Sequence, residues 1–154
     1  MLRLSKMTDY AVVVLVRLAQ GQAAGGAVQT SPGVAAATGI PEPTVAKVLK
    51  SLAAEGLVAS QRGARGGYRL LRPLAAIPVA EVITAIDGPI ALAACVEGGG
   101  CGSETLCPVR GRWDPVNEAI REALTAISLA DMQAALPPIR RAAPAALPLS
   151  AAAE

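Results

Sequence analysis

Three features predict a mainly α fold with a small β-wing, a winged helix-turn-helix followed by a long C-terminal dimerisation helix. Two helical segments flank a glycine-containing turn at Gly39-Ile40-Pro41, and two short strand-like runs bracket a turn rich in glycine and arginine. A separate apolar stripe recurs near the C-terminal end, beyond a segment that carries every cysteine. Helix-turn-helix units are built from two helices joined by such a turn, with the second helix lying in the DNA major groove.

The first helix is expected from near Thr8 to Gly21, because Val12, Leu15, Val16 and Ala19 recur at i, i+3, i+4 and i+7. Residues 21–29 form a glycine-rich loop. Ser31-Pro32 combines a capping residue with a proline at the first helical position, opening a short helix that Gly39 ends. The next helix runs from about Glu42 to Glu55, with Val45, Val48, Leu49 and Leu52 on one face and Gly56 as its stop. On the opposite face lie Pro43, Thr44, Lys47, Lys50 and Ser51, residue types that contact phosphates and base edges. The same pattern would also serve a merely solvated face.

Strands are expected at residues 57–60 and 68–71, around the turn 61–67. In that turn Arg62 and Arg65 supply phosphate or minor-groove contacts, while its glycines permit positive φ and close approach to a backbone. Directly after a helix-turn-helix, such a hairpin points to double-stranded promoter DNA as the partner. Pro73 ends the wing, and residues 77–86 make a further helix closed by Asp87-Gly88-Pro89. Asp114-Pro115 opens the last helix, on which Trp113, Val116, Ile120, Leu124 and Ile127 form one stripe. That stripe either packs on its own domain or pairs with the same helix of a second subunit, making a homodimer. The domain plan is therefore 1–88 for DNA binding, 89–112 for a cysteine loop, 113–133 for dimerisation and 134–154 for an Ala/Pro-rich tail expected to be disordered.

Composition narrows the function classes. Hydrophobic residues make up 53% of the 154, but 33 are alanine and the aromatics are only Tyr10, Tyr68 and Trp113, so the core must be packed from small side chains. Histidine is absent, which excludes imidazole bases and imidazole zinc ligands. With no nucleophile–base pair or phosphate-cradling loop either, an enzyme is not expected. The net charge of +2 hides an asymmetry: residues 1–72 carry nine Lys and Arg against three acids, a net of +6, and residues 73–154 carry five against nine, a net of −4. A basic first half is the electrostatic footprint of a nucleic-acid partner. Lys6, Asp9 and Arg17 interrupt the apolar start, so a signal peptide is not expected there, and no run suits a membrane span. A cytoplasmic protein is expected, and an odd number of cysteines fits a reducing compartment.

Cys95, Cys101 and Cys107 have the spacing C-x5-C-x5-C in CVEGGGCGSETLCPVR, with four glycines that let the backbone fold tightly between the thiols. Three thiolates in one loop suit soft metals, above all an iron–sulfur cluster, [2Fe–2S] or [4Fe–4S]. Structural zinc and a set of unliganded or redox-pairing thiols are the alternatives. An iron–sulfur carrier or electron-transfer protein would need the cluster but not the basic wing.

Together, LRLSKMTDYAVVVL, TGIPEPTVAKVLKSLAAEGLV, SQRGARGGYRL, the three-cysteine loop and ISLADM resemble the IscR/NsrR/RirA class of bacterial iron–sulfur transcriptional regulators over about residues 1–133. Within that class, CPVRGRWDPVNEAIREAL is most similar to regulators of the SUF iron–sulfur assembly system. The resemblance implies a homodimer joined through the C-terminal helix, a palindromic promoter site, and a cluster on Cys95, Cys101 and Cys107 whose state alters DNA affinity. IscR-like members carry a histidine three residues after the third cysteine, where this chain has Arg110, and arginine is not an ordinary ligand. NsrR-like members instead lend an aspartate from the first helix of the partner subunit, and Asp9 matches it. Asp9 could equally serve the positive end of its own helix. Glu104 is a second carboxylate candidate.

Overall fold

The computed structural model describes residues 3–26, 28–63, 66–96, 107–109 and 111–133. Its elements run α1 (Lys6–Ala23), α2 (Ser31–Thr38), α3 (Glu42–Ala54), β1 (Val58–Gln61), β2 (Gly67–Leu70), a 3-10 turn (Leu74–Ala76), α4 (Val79–Asp87), α5 (Asp114–Thr125) and α6 (Leu129–Gln133). The expected mainly helical fold with a two-stranded antiparallel wing is present. The tail from residue 134 lies outside the described residues.

Helix α1 is longer at both ends than its apolar stripe indicates. Ser5 starts it by accepting a hydrogen bond from the Thr8 amide at 3.2 Å. Gly21, expected to stop the helix, remains inside it, and the side chain of Gln29 occupies the space a Cβ would need there. In α2 the cap is Thr30, whose Oγ1 accepts from the Gly33 amide, so Ser31 is the first helical residue and not the cap. Gly39 ends α2 at φ 71°, the left-handed conformation that glycine adopts without steric cost.

In α3 the predicted inward stripe of Val45, Val48, Leu49 and Leu52 is completely buried. It meets Ala11, Val14, Leu15 and Leu18 of α1, which are also sealed from solvent. After α3 the buried Leu57 donates its amide to the Leu52 carbonyl, so β1 begins one residue later than expected. The hairpin is antiparallel, with Val58 opposite Leu70 and Gln61 opposite Gly67. Helix α4 starts two residues later than expected because Ile77 and Pro78 are extended; Ile77 is fully buried.

The C-terminal span expected as one helix over 113–133 is divided. Between α5 and α6 the chain runs beside the start of α4: Val79 donates to the Ile127 carbonyl and Leu129 to the Ile77 carbonyl, both at 2.9 Å. Ser128 and Asp131 then cap α6 reciprocally, the Ser128 amide donating to Asp131 and the Asp131 amide to Ser128 Oγ. This turn directs Leu129 into the core, where it is fully buried. Backbone pairing with the 77–79 segment and the burial of Leu129 thus coincide with the break between α5 and α6.

Candidate nucleic-acid interface and cysteine loop

The face of α3 opposite the buried stripe presents Pro43, Lys47 and Lys50 to solvent, with Thr44 and Ser51 half-buried beside them. Arg62 is exposed at the end of β1, and Arg65 lies outside the described residues. Arg69 is a further exposed wing cation that the sequence reading did not single out; it stands opposite Ala59 in the hairpin register. Alternation along β2 is the signal that marks it, since its neighbour Leu70 is buried. Arg72 is different. It is tied to Glu81 and donates to the Ala76 carbonyl at 3.1 Å, so it braces α4 and is not displayed with the wing cations. Among the described residues, helix α3 and the hairpin thus display Lys47, Lys50, Arg62 and Arg69, cations that can meet a polyanion.

A second cluster lies at the opposite end of α1. Thr8, which is 1% exposed, donates to Asp87 at 2.7 Å, and the Ser5 amide donates to the same carboxylate at 3.2 Å. Partial burial pushes the Asp87 carboxyl upward, but the hydrogen bonds from Ser5 and Thr8 outweigh it and hold the group below the ordinary carboxylate range. The two ends of this clamp are 79 residues apart in sequence, and no local pattern announces it. Asp9 follows Thr8 on the exposed side of the first turn. The cap of α1 is Ser5, so Asp9 is not needed as the cap and stands at a cavity of about 480 Å³ lined in part by Arg3, Lys6, Val79 and Met132.

The cysteine segment leaves α4 and returns into α5. Its beginning is pinned, because the Leu92 amide donates at 3.0 Å to Oδ1 of Asn117, which is only 3% exposed. Cys95 and Cys107 are both half-buried free thiols, and Val96 beside the first is buried. Cys101, Glu104 and Arg110 lie outside the described residues. Among the described residues no group of three or more Cys, Asp or Glu comes together as a metal site. The two thiols are nonetheless chemically suited to a thiophilic cluster, being unpaired with each other and held at the two ends of a glycine-rich segment.

The predicted stripe of α5 separates by depth. Ile120 and Leu124 are half-buried and line a cavity of about 350 Å³ with Leu4, Ile83 and Ile90. Trp113, Val116 and Ile127 are 43, 45 and 43% exposed. No helix among the described residues is long and apolar enough to cross a membrane.

Residues 4–135 match the model of the Rrf2 family, described as an iron-dependent transcriptional regulator. The chain is 36% identical over 135 residues to a candidate HTH-type transcriptional regulator of Mycobacterium tuberculosis, Rv1287, covering 85% of this chain and 81% of that one. It is 28% identical over 131 residues to the HTH-type transcriptional regulator IscR of Escherichia coli, covering 85 and 80%. Among solved structures, T. potens IscR is similar with a TM-score of 0.58 at 30% identity, covering 86% of each chain. CymR, the global cysteine regulator of B. subtilis, is similar with a TM-score of 0.64 at 26% identity, covering 86% of this chain and 96% of that one. The chain belongs to the Rrf2 family and is a winged-helix transcriptional regulator, not an enzyme.

Proposed function

We propose that this regulator is a homodimer that senses iron–sulfur cluster, iron or oxidative status through a cluster held by Cys95, Cys101 and Cys107, and that it controls SUF-type cluster assembly genes. The observation that carries the reading is the position of the thiols. Cys95 and Cys107 are free and half-buried in the connection between the DNA-binding domain and α5, the helix whose apolar stripe is partly exposed. A group held by the cysteines would lie, in chain order, between the domain proposed to meet DNA and the helix proposed to pair the subunits. When bound, the cluster supplies a centre that responds to iron and oxidants. The three cysteines would hold it, and Asp9 of the other protomer would complete its ligands from the cavity at the start of α1. Thr44, Lys47, Lys50, Pro43 and Ser51 would contact the major groove, and Arg62 and Arg65 the flanking phosphates or minor groove. Trp113, Val116, Ile120, Leu124 and Ile127 would form the dimer contact.

Anaerobic purification with iron and sulfide quantification tests the cluster, using the unsubstituted chain, Cys101→Ser and Asp9→Ala. Iron and sulfide in the first, their loss in Cys101→Ser and faster loss in Asp9→Ala support the reading. Titration of each form with SUF-promoter duplexes then measures the coupling, expected at about 1 to 3 kcal/mol between loaded and unloaded protein.

The free thiols also favour a second reading, a cluster-free thiol switch. An iron-free, colourless protein whose DNA affinity changes on thiol oxidation would establish it in place of the first.

A further inference from the structure

Strand β2 is fastened to α1 and the segment after it by two glutamines. Gln29 exchanges both main-chain hydrogen bonds with Tyr68, its amide donating at 2.9 Å and its carbonyl accepting at 2.8 Å, which lays a third strand segment beside the hairpin. The Gln29 side chain turns the other way and donates Nε2 to the carbonyls of Leu18 at 3.0 Å and Arg17 at 3.3 Å. It occupies the gap above Gly21, where a Cβ would stand 2.1 Å from Nε2. Gly67 completes the fit, since a Cβ there would be 2.6 Å from the Gln29 carbonyl oxygen. At the other end of β2, the Gln22 side-chain oxygen accepts from the Leu70 amide at 2.9 Å. Both glutamines are half-buried, and neither belongs to the cation-bearing surface.

We infer that Gln22 and Gln29 are positioning residues for DNA binding: they set the placement of the wing relative to α3 by joining β2 to α1, and so aim Arg62 at the DNA. The inference rests on the wing contacting DNA. The two side chains work in opposite senses, because Gln22 supplies an acceptor and Gln29 a donor. Glutamate keeps the acceptor oxygen and lacks the amide donor, so Gln22→Glu preserves the link whereas Gln29→Glu breaks it.

The test measures binding to a mixed-sequence duplex about 30 base pairs long, long enough to meet two recognition units one helical turn apart, across a salt series, with thermal unfolding of every variant alongside. Gln22→Ala is expected to bind about 2- to 12-fold more weakly, the range for one lost hydrogen bond, and Gln29→Ala and Gln29→Glu, which lose the Nε2 bonds to two carbonyls, at least as much. Each should flatten the salt dependence by up to about one unit, as a misplaced wing loses a phosphate contact. Gln22→Glu should match the unsubstituted protein. Arg62→Ala should cost less in the Gln29→Ala background than alone, because both act through the wing. Unchanged affinity and slope in the alanine variants overturn the inference, as does weaker binding with an unchanged slope and full additivity with Arg62→Ala. If an alanine variant fails to fold, the glutamate pair decides: equal behaviour of Gln22→Glu and Gln29→Glu overturns the inference. If the Gln22 and Gln29 variants leave binding intact while Arg62→Ala weakens it, the wing reading stands and only the positioning role falls. If Arg62→Ala changes neither affinity nor slope, the wing reading itself falls, and the inference with it.

Discussion

Helices α3 and α5 differ by one residue in length, and both have an apolar stripe, yet they are buried very differently. In α3, Val45, Val48, Leu49 and Leu52 are all sealed inside the chain. In α5 the buried residue is the polar Asn117, while Trp113 before it and Val116 within it face solvent. An apolar stripe therefore says that a helix has a partner surface and not where the partner is. Helix α3 spends its stripe on α1, leaving its polar face for a ligand; α5 keeps apolar surface that the other described residues do not cover.

The largest expected effect that would break this contrast is on stability. Leu52→Ala should destabilise the fold by about 2 to 5 kcal/mol, read from urea unfolding, since a fully buried leucine leaves a cavity. Val116→Ala, by contrast, should stay within about 1 kcal/mol in the unfolding of the isolated subunit while weakening self-association in sedimentation. A loss of stability as large as that of Leu52→Ala would place Val116 in the core and remove the contrast.

Asn117 comes next, as the one polar residue on which α5 is seated. Asn117→Ala leaves the Leu92 amide without its partner and should cost about 1 to 3 kcal/mol, with faster amide exchange at Leu92 as the local signature. Lys47→Ala should leave unfolding unchanged, weaken binding to every duplex alike and lower the salt slope by about one unit. A change in sequence preference would instead make Lys47 a base-reading residue.

The smallest effect concerns pH. The Asp87 carboxyl is held below its ordinary value in the folded chain, so its stabilising contribution is complete above the unfolded-state pKa and is lost as pH falls through the lowered folded value. Asp87→Asn should therefore flatten the acid limb of the stability profile and leave the neutral region little changed in slope. An unaltered acid limb would show that Ser5 and Thr8 do not hold this carboxylate in solution.

Much of the fold was legible because its determinants are local. The α2 start near Ser31-Pro32, displaced by one residue because Thr30 is the cap, the Gly39 stop and the inward face of α3 each follow from neighbouring residues. Legibility failed where a distant group intervened. Gly21 carries the local mark of a helix stop, yet Gln29 fills the space above it and the helix continues. The 113–133 span is expected as one helix from a stripe that runs from Trp113 to Ile127, yet just beyond that stripe it pairs with residues 77–79 and is divided. At the candidate sites, the residue types on α3 and in the cysteine loop were visible in the sequence. Arg72 carries the same charge as Arg69, but its engagement with Glu81 is a tertiary fact.

The sequence by itself determined the order of elements, the polarity of each helix face and the chemistry on offer: a basic first half, three thiols and no imidazole. Tertiary structure decided which of those groups are free to act. It left Lys47 and Lys50 open, engaged Arg72, pinned Asp87 to the start of α1 and joined the wing to Gln22 and Gln29. The reason is range. Helix stripes and caps are set by neighbours within a turn or two, whereas a hydrogen bond across 48 or 79 residues exists only once the chain has folded.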